Sequence, residues 1–255
     1  MGTGGVTTSE VTGSKTVRLS PSKIQDIRDC PLKWFFTSIG ADQAPGAAQE
    51  LGSLIHAIAQ RHPHGPLDVM MSELRAAYDL LDFDANTLAG RQQIAQAEHI
   101  IENLAAYMEG VPGPVEVEQS IHATIGDVIV SGRIDRIEHV DGKVRVADLK
   151  TGKSAVSKTA AQEHPQLASY QVALTAAGYE MTGARLVYLG TKNVATREQS
   201  AMDSEQFTQW CDQMKQWGQM ARGPHYPATP SEDACRFCRF AQSCPAKDEG
   251  RRTLP

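Results

Sequence analysis

The sequence predicts an α/β protein in which a block of β-strands lies between helical segments. As far as about residue 110, apolar residues recur three and four positions apart, which is typical of helices. From Val115 the pattern changes to alternating and β-branched residues, which is typical of strands. At 255 residues the chain is long enough to form one large domain with a substantial core.

The helices predicted ahead of the strands follow from caps and apolar faces. In LSPSKIQDIRDC, Ser20 or Ser22 can cap a first helix, and Pro21 suits its first turn. Pro31 interrupts this segment, and a second short turn follows with Trp34. We predict a loop of small residues over 40–49 and further helices over about 50–61, 67–81 and 88–108.

Three strands are predicted from the segments VEVEQSIHATI, VIVSGRIDRIEHV and KVRVADLKT. Gly126-Asp127 and Asp141-Gly142 mark the turns between them. Beyond the strands we predict a helix over about 165–177, a strand at ARLVYLG and a helix over about 204–221. The tail from Gly223 is rich in proline and cysteine and is predicted to be irregular.

The second and third predicted strands carry the strongest catalytic signal. A two-residue turn at Asp141-Gly142 places Asp135 directly opposite Asp148, and the Cβ atoms of such a pair lie only about 5 Å apart. Like charges at that distance destabilise a hairpin unless a cation lies between them, and hard oxygen ligands suit Mg²⁺ or Mn²⁺. Lys150 points to the same face and can stabilise negative charge at a phosphate. Together the three residues favour a metal site over an exposed hairpin with scattered charges.

Other polar residues are weaker candidates when each is taken alone. His56 lies in an amphipathic helix, where a core or boundary role is the usual one, although a neutral imidazole could also bind a divalent metal. Gln166 and Tyr170 are four residues apart and share a helix face, but ordinary surface groups have the same spacing. GKS at 152–154 is not a phosphate-binding loop, because Ala147 stands where the first glycine is required.

The spacing of Cys235, Cys238 and Cys244 is typical of metal ligands, and a fourth ligand could come from Cys30 or Cys211. Cys211 lies in a helical stretch, where a buried free thiol is the favoured interpretation. Four thiolates suit both zinc and an iron–sulfur cubane, so the spacing does not choose between them.

Composition and charge exclude several classes of protein. The net charge of −5 argues against binding polyanions over the whole surface. No apolar stretch is long enough to cross a membrane, and residues 1–17 lack the apolar core of a secretory signal. We therefore predict a disordered lead over 1–17, a cytoplasmic location and no membrane partner.

Six segments together resemble the PD-(D/E)xK nucleases of the RecB type, specifically their iron–sulfur branch. They are LSPSKIQDIRDCPLKWFF, LGSLIHAI, GRIDRIE, VADLKTGK, QLASYQVAL and CRFCRFAQSCP, and they cover nearly the whole chain after Val17. That branch includes CRISPR-associated exonucleases and the nuclease domains of AddB and AdnAB helicase–nucleases. The resemblance implies a single domain over 18–255 with a restriction-endonuclease-like core, that is, a mixed central sheet flanked by helices. It also implies an N-terminal helical portion, a helical insertion at about 67–110 and an iron–sulfur-binding tail at 223–245.

The resemblance further implies roles for individual residues. Those with implied catalytic roles are Asp135, Asp148, Lys150, Gln166 and Tyr170, and the implied ligands of Mg²⁺ or Mn²⁺ are His56, Asp135 and Asp148. The family often has glutamate at the position of Asp148, and Glu118 is a looser match that could line the site. The implied ligands of a structural 4Fe-4S cluster are Cys30, Cys235, Cys238 and Cys244.

The activity implied is metal-dependent hydrolysis of phosphodiester bonds in DNA, on single strands or duplex ends, alone or beside a separate helicase. The alternatives are the same nuclease with a zinc staple, a DNA-binding subunit whose catalysis has lapsed, and a redox sensor built on the cluster. Six basic residues near the hairpin could contact the phosphate backbone: Arg133, Arg136, Lys143, Arg145, Lys153 and Lys158.

Overall fold

The computed structural model of the chain describes residues 16–40, 46–81, 83–236 and 238–251. Most of the lead predicted to be disordered, residues 1–15, lies outside the described residues, as do residues 41–45 of the predicted loop. Val17, the last residue of that lead, is the first residue of a short strand, β1 (Val17–Leu19). Among the described helices, none is both long enough and apolar enough to span a membrane.

Helices precede and follow a block of strands in the described chain. The helices are α1 (Pro21–Asp29), α2 (Pro31–Ser38), α3 (Ala47–Arg61), α4 (Leu67–Ala76), α5 (Leu88–Glu109), α6 (Lys158–Gln162), α7 (Pro165–Ala176), α8 (Ser204–Arg222), α9 (Glu232–Arg236) and α10 (Asp248–Arg251). Short 3-10 turns cover Asp79–Leu81 and Ala241–Ser243. The strands after β1 are β2 (Val115–Ile125), β3 (Val128–Val140), β4 (Lys143–Lys150), β5 (Met181–Tyr188) and β6 (Ala195–Ser200).

Most predicted elements are present, and the differences have physical causes. Of the two residues expected to cap α1, Ser20 does so, and its side chain accepts a hydrogen bond from the Lys23 amide. The strand β6 was not predicted, because this edge strand is polar and shows no apolar alternation. Only Gln199 in it is buried. The short helices α6, α9 and α10 are also absent from the prediction, since four or five residues cannot show a helical period.

The described strands form one mixed sheet, which confirms the mixed central sheet of the predicted α/β fold. Along one edge, β3 pairs with β2 in the antiparallel sense over almost its whole length. Its other edge is shared, because β1 pairs in parallel with residues 128–130 and β4 pairs antiparallel with residues 136–140. Beyond β4 the sheet continues with β5 in parallel and β6 antiparallel. The edge of β3 between β1 and β4 therefore carries no partner strand in the described structure.

Helices cover both faces of this sheet and make two hydrophobic cores. On one face, α3, α4 and α5 pack on alternate residues such as Ala147, Leu149 and Val187. On the other, α1, α7 and α8 pack on the intervening residues, among them Val146 and Leu186. Because strand side chains alternate between faces, β4 and β5 contribute to both cores and hold the two helical layers together.

A buried ion network anchors the β3–β4 hairpin beneath α5. The Glu138 carboxylate is completely buried and accepts hydrogen bonds from Tyr107 and, at 2.9 Å, from Arg145. Arg136 Nε lies 3.5 Å and Arg185 Nη2 lies 3.7 Å from the same carboxylate. The prediction that Arg136 contacts a phosphate backbone is wrong, because this residue is 1% exposed. Arg145, a second predicted contact, likewise directs its guanidinium to Glu138.

We expect Glu138→Gln to lower the free energy of unfolding by about 3 kcal/mol or more, because it leaves buried guanidinium groups without their counter-charge. The matched control is Glu180→Gln, since the Glu180 side chain is 76% exposed and lies 3.5 Å from Lys143. The control should stay within about 0.5 kcal/mol of the parent. Urea unfolding followed by circular dichroism measures both, and equal effects of the two substitutions would refute this account of the network.

Candidate active site

The site forms where β4 separates from β3. The register predicted from the Asp141-Gly142 turn is observed from Val140–Lys143 up to Arg136–Ala147, and the ladder stops one position before Asp135 and Asp148. Beyond that point the Leu149 amide donates instead to the Asp135 side chain, at 2.7 Å from Oδ2. One oxygen of Asp135 is thereby fixed by the backbone, and the other is left to face the cleft.

Glu118 lies across from Asp135 on the neighbouring strand. In the β2–β3 ladder, Val117 pairs with Arg136 and Gln119 pairs with Ile134, so Glu118 occupies the intervening position. Its backbone has φ of +53°, in the left-handed region that non-glycine residues rarely adopt. Such strain persists only where the surroundings enforce it, and it is frequent at functional positions.

His56 joins these carboxylates from helix α3. Its Nδ1 lies 3.2 Å from Asp135 Oδ1. One ligand atom from each of His56, Glu118 and Asp135 lies within 4.8 Å of the others. Burial lowers the pKa of His56, but the hydrogen bond to Asp135 and the neighbouring carboxylate charges outweigh it, so the pKa is raised. An imidazole and two carboxylates are a suitable ligand set for Mn²⁺ or Mg²⁺.

A second group of polar residues lies beside this ligand set, between β4 and α7. Lys150 Nζ is 2.7 Å from Asp148 Oδ2 and donates to Gln166 Oε1 at 2.9 Å. The Gln166 amide in turn donates to Asp148 Oδ1 at 2.7 Å and contacts the Tyr170 hydroxyl at 3.0 Å. As the spacing predicts, Gln166 and Tyr170 share one face of α7, and that face points at Asp148.

Burial and charge oppose each other in the Asp148–Lys150 pair. Burial raises the pKa of Asp148, the Lys150 ammonium opposes this, and the Asp135 charge adds to it, so the pKa is raised. Burial lowers the pKa of Lys150, but Asp148 outweighs burial and the net pKa is raised, which keeps the lysine cationic. Burial also raises the pKa of Tyr170 well above its ordinary value, so its hydroxyl stays protonated.

Both groups open into one cleft of about 750 Å³. Its walls also include Gln49, Ser53, Gln60, Thr151 and Tyr188. Arg133 lies at the rim, where its side chain is 65% exposed and contacts Glu118 at 3.2 Å. The cleft therefore offers a cation site, a half-buried lysine and an exposed arginine to an anionic substrate.

The structure brings the predicted site residues together but groups them differently. The expected metal ligands are His56, Asp135 and Asp148, whereas the compact group contains Glu118 with His56 and Asp135. Asp148 contacts Lys150 and Gln166 instead. A signal for Glu118 exists in the sequence, since a hairpin turn at Gly126-Asp127 places it opposite Asp135 by register.

The cysteine-containing tail docks on the first two helices. Thr229 Oγ1 donates to the carbonyl of Asp29 at 2.9 Å, and the Leu32 amide donates to the carbonyl of Pro227 at 3.2 Å. The rings of Phe36 and Phe240 have centroids 5.2 Å apart. Cys30 lies at the junction of α1 and α2, and the tail contacts residues on either side of it in the sequence, Asp29 and Leu32.

All five cysteines are free thiols in the described structure, and their sulfurs do not form a compact ligand group like that around Asp135. Cys211 lies on α8 and packs, partly buried, against the hydrophobic core. The iron–sulfur assignment accordingly remains a prediction for Cys30, Cys235, Cys238 and Cys244.

The fold and the site together define the class: a mixed-sheet nuclease core with acidic residues and a lysine where two strands separate. A family model of the PD-(D/E)XK nuclease superfamily matches residues 18–245. The chain therefore belongs to the PD-(D/E)XK nuclease superfamily, which confirms the resemblance at that level. No curated protein matches the sequence.

Solved structures similar to this chain include the following two. A protein from Eubacterium rectale, described as a "putative exonuclease", is 16% identical with a TM-score of 0.54, over 99% of this chain and 95% of that chain. The protein SSO0001 is also 16% identical, with a TM-score of 0.45, over 93% of this chain and 89% of its own. At such identity, the likeness to the Eubacterium rectale protein establishes the shared fold.

His164 lies at the start of α7, next to the site, and is 7% exposed. Burial, followed by the positive charges of Lys150 and Arg28, lowers its pKa to about 4. Between pH 6.5, the ordinary value, and about 4, the unfolded chain therefore binds a proton that the folded chain does not. This residue makes the folded state less stable as the pH falls through that window.

We expect His164→Gln to flatten the pH dependence of unfolding between pH 6.5 and about 4. The slope removed is at most about 1.4 kcal/mol per pH unit. His122→Gln is the control, because His122 is exposed on β2, and it should follow the parent. Denaturant unfolding at a series of pH values measures the slopes, and identical slopes for His164→Gln and the parent would contradict the prediction.

Proposed function

We propose that this protein is a metal-dependent deoxyribonuclease, an exonuclease acting in DNA repair, recombination or end processing. The observation that carries the proposal is the juxtaposition of two groups in one cleft. One is the ligand set of His56, Glu118 and Asp135, and the other is the ion pair of the buried Asp148 with Lys150. Membership of the nuclease superfamily supports phosphodiester hydrolysis, whereas DNA as the substrate and exonuclease action belong to the proposal.

His56, Glu118 and Asp135 would hold Mg²⁺ or Mn²⁺, and Asp148 is the further proposed ligand beside them. A divalent ion bound there would polarise the phosphate and lower the pKa of bound water. The Leu149 amide orients Asp135 for this role, since it fixes one carboxylate oxygen at 2.7 Å.

Lys150 supplies the positive charge that meets the negative charge developing on the phosphate. Asp148 and Gln166 hold its ammonium group at 2.7 and 2.9 Å, so little reorganisation is needed when the substrate arrives. Tyr170 acts as a positioning residue, because its hydroxyl contacts Asp148 Oδ1 at 3.3 Å and the carbonyl of Arg133 at 3.3 Å.

The direct test is cleavage of labelled single-stranded and double-stranded DNA by anaerobically purified protein with Mg²⁺ or Mn²⁺. We expect Asp135→Asn and Asp148→Asn to lower the rate by about 100-fold or more, because each removes a charge from the metal and lysine site. The control is Asp141→Asn, since Asp141 lies at the exposed tip of the same hairpin. Manganese binding, followed by electron paramagnetic resonance, should weaken in Asp135→Asn.

Circular dichroism would verify that the variants are folded. A parent protein that binds DNA but cleaves neither substrate with either metal would refute the nuclease proposal. That result would favour a DNA-binding accessory subunit of a helicase–nuclease complex. Dependence of cleavage on an added helicase would instead identify the partner class.

We further propose that Cys30, Cys235, Cys238 and Cys244 bind a structural 4Fe-4S cluster. The support is the docking of the tail around Cys30, which brings the N-terminal helices and the three C-terminal cysteines into one region. Four thiolates are the donor set of such a cluster. Zinc would accept the same ligands, so the identity of the metal is the point to be tested.

We expect anaerobically purified parent protein to contain iron and acid-labile sulfide, and Cys235→Ser to lose both. Cys211→Ser should keep them, because Cys211 lies on α8 and packs against the core. Elemental analysis and visible absorbance measure the outcome. Zinc without sulfide in the parent would replace the cluster by a zinc staple, and loss of iron in Cys211→Ser alone would identify Cys211 as the fourth ligand.

A further inference from the structure

Arg133 is an exposed basic residue at the rim of the catalytic cleft. It precedes Asp135 by two residues on β3, so the two side chains point to the same face of the strand. The Tyr170 hydroxyl donates to the Arg133 carbonyl oxygen at 3.3 Å, which ties this part of the backbone to α7. The side chain is 65% exposed, and its Nη1 donates to Glu118 Oε2 at 3.2 Å. The backbone of Arg133 is therefore fixed, whereas its guanidinium group has room to move in the cleft.

The partner of Arg133 is also one of the candidate metal ligands. The Glu118 side chain is 12% exposed, and one of its oxygens forms the compact group with His56 and Asp135. A divalent ion in that group would neutralise the Glu118 carboxylate and repel a guanidinium only a few ångströms away. Ion pairs with an exposed partner are weak, so the metal would displace the arginine. Metal binding therefore releases Arg133 from Glu118.

The balance of charge in the cleft changes sign in the same step. Among the described residues that line the cleft, the carboxylates of Glu118, Asp135 and Asp148 outnumber the basic groups of Arg133 and Lys150. Each basic group is paired with a carboxylate, at 3.2 Å for Arg133 and at 2.7 Å for Lys150. A polyanionic strand entering the cleft would therefore meet an excess of negative charge. A divalent ion carries enough charge to reverse that excess.

The sheet places the two basic groups on opposite sides of Asp135. The central strand is β3, with β2 on one side and β4 on the other. Arg133 contacts Glu118 of β2, whereas Lys150 belongs to β4 and contacts Asp148 of the same strand. An anion bound to a metal on Asp135 would consequently lie between an arginine and a lysine. This is a favourable place for a phosphate group.

We propose that Arg133 is a substrate-binding residue that exchanges Glu118 for a DNA phosphate beside the metal when a divalent ion binds. The inference rests on the proposed deoxyribonuclease function, since it names the residue that couples metal binding to substrate binding in that site. It assigns two opposed effects to one side chain: Arg133 competes with the metal for Glu118, and it holds the strand once the metal has replaced it.

The first test is Mn²⁺ binding in the absence of DNA, followed by electron paramagnetic resonance. We expect Arg133→Gln to bind Mn²⁺ about two-fold to five-fold more tightly than the parent, because the competing cation is removed from Glu118. The matched control is Arg75→Gln. Arg75 is another exposed arginine paired with a glutamate, at 2.8 Å from Glu98, and it does not line the cleft. This control should bind Mn²⁺ as the parent does.

The second test is binding of a short labelled single-stranded oligonucleotide, measured by fluorescence anisotropy in EDTA and in Ca²⁺. Ca²⁺ accepts carboxylate oxygens as ligands, and gel electrophoresis verifies that the oligonucleotide stays intact. We expect Ca²⁺ to strengthen binding by the parent and by Arg75→Gln. In Arg133→Gln this gain should be several-fold smaller, and the dependence of log Kd on log salt in Ca²⁺ should fall by about one phosphate contact. In EDTA, Arg133→Gln and the parent should bind with similar affinity.

The opposed directions distinguish this role from a structural one. A variant that merely disturbs the cleft would bind both Mn²⁺ and DNA more weakly, and that result would overturn the proposal. An equal loss of DNA binding in EDTA and in Ca²⁺ would also overturn it, because Arg133 would then contact DNA without being released by the metal.

The proposed function and this inference fail in different ways. Metal-dependent cleavage by the parent, with Mn²⁺ and DNA binding unchanged in Arg133→Gln, would overturn the role of Arg133 and leave the nuclease function standing. Absence of both cleavage and DNA binding in the parent, with any of these ions, would overturn the function, and the inference with it.

Discussion

The candidate site depends on one constraint, which is that β4 can pair with β3 only as far as Arg136 and Ala147. At the next position, a side-chain carboxylate replaces the main-chain acceptor, as Asp135 binds the Leu149 amide. A continuous hairpin would have brought Asp135 and Asp148 directly against each other. The separation of the strands opens space for a cation and lets α7 direct Gln166 and Tyr170 at the carboxylate of Asp148.

The same hairpin is held rigid by its opposite face. Asp135 and Arg136 are adjacent, and because strand side chains alternate, the first faces the cleft and the second lies beneath α5 with Glu138. Arg136 also donates to the carbonyl of Pro63 at 2.7 Å, which ties the hairpin to the segment after α3. Since α3 carries His56, this contact links the position of the histidine to that of the strand bearing Asp135.

Sequence patterns predict the parts of this structure that are periodic or chemically distinctive. The bounds of β2 and β3 and the register of the hairpin follow from alternation and turn residues, and Lys150 follows from its spacing to Asp148. The register set by the Gly126-Asp127 turn places Glu118 opposite Asp135, but no local pattern indicates its left-handed backbone. The prediction for Arg136 is wrong because exposure of a charged residue on a strand depends on the helix that covers it, which alternation does not reveal.

The contact between Thr229 and Asp29 joins residues that are 200 positions apart in the chain. During synthesis the first two helices therefore emerge long before the segment that covers them. The rings of Phe35 and Phe36 cannot pack on Tyr226 and Phe240 until that segment has been made. Contacts of such large sequence separation form slowly, because the chain loses the entropy of loop closure before these contacts can stabilise it. Completion of the N-terminal region is thus a late event in folding, and a truncated chain would expose an apolar surface at its beginning.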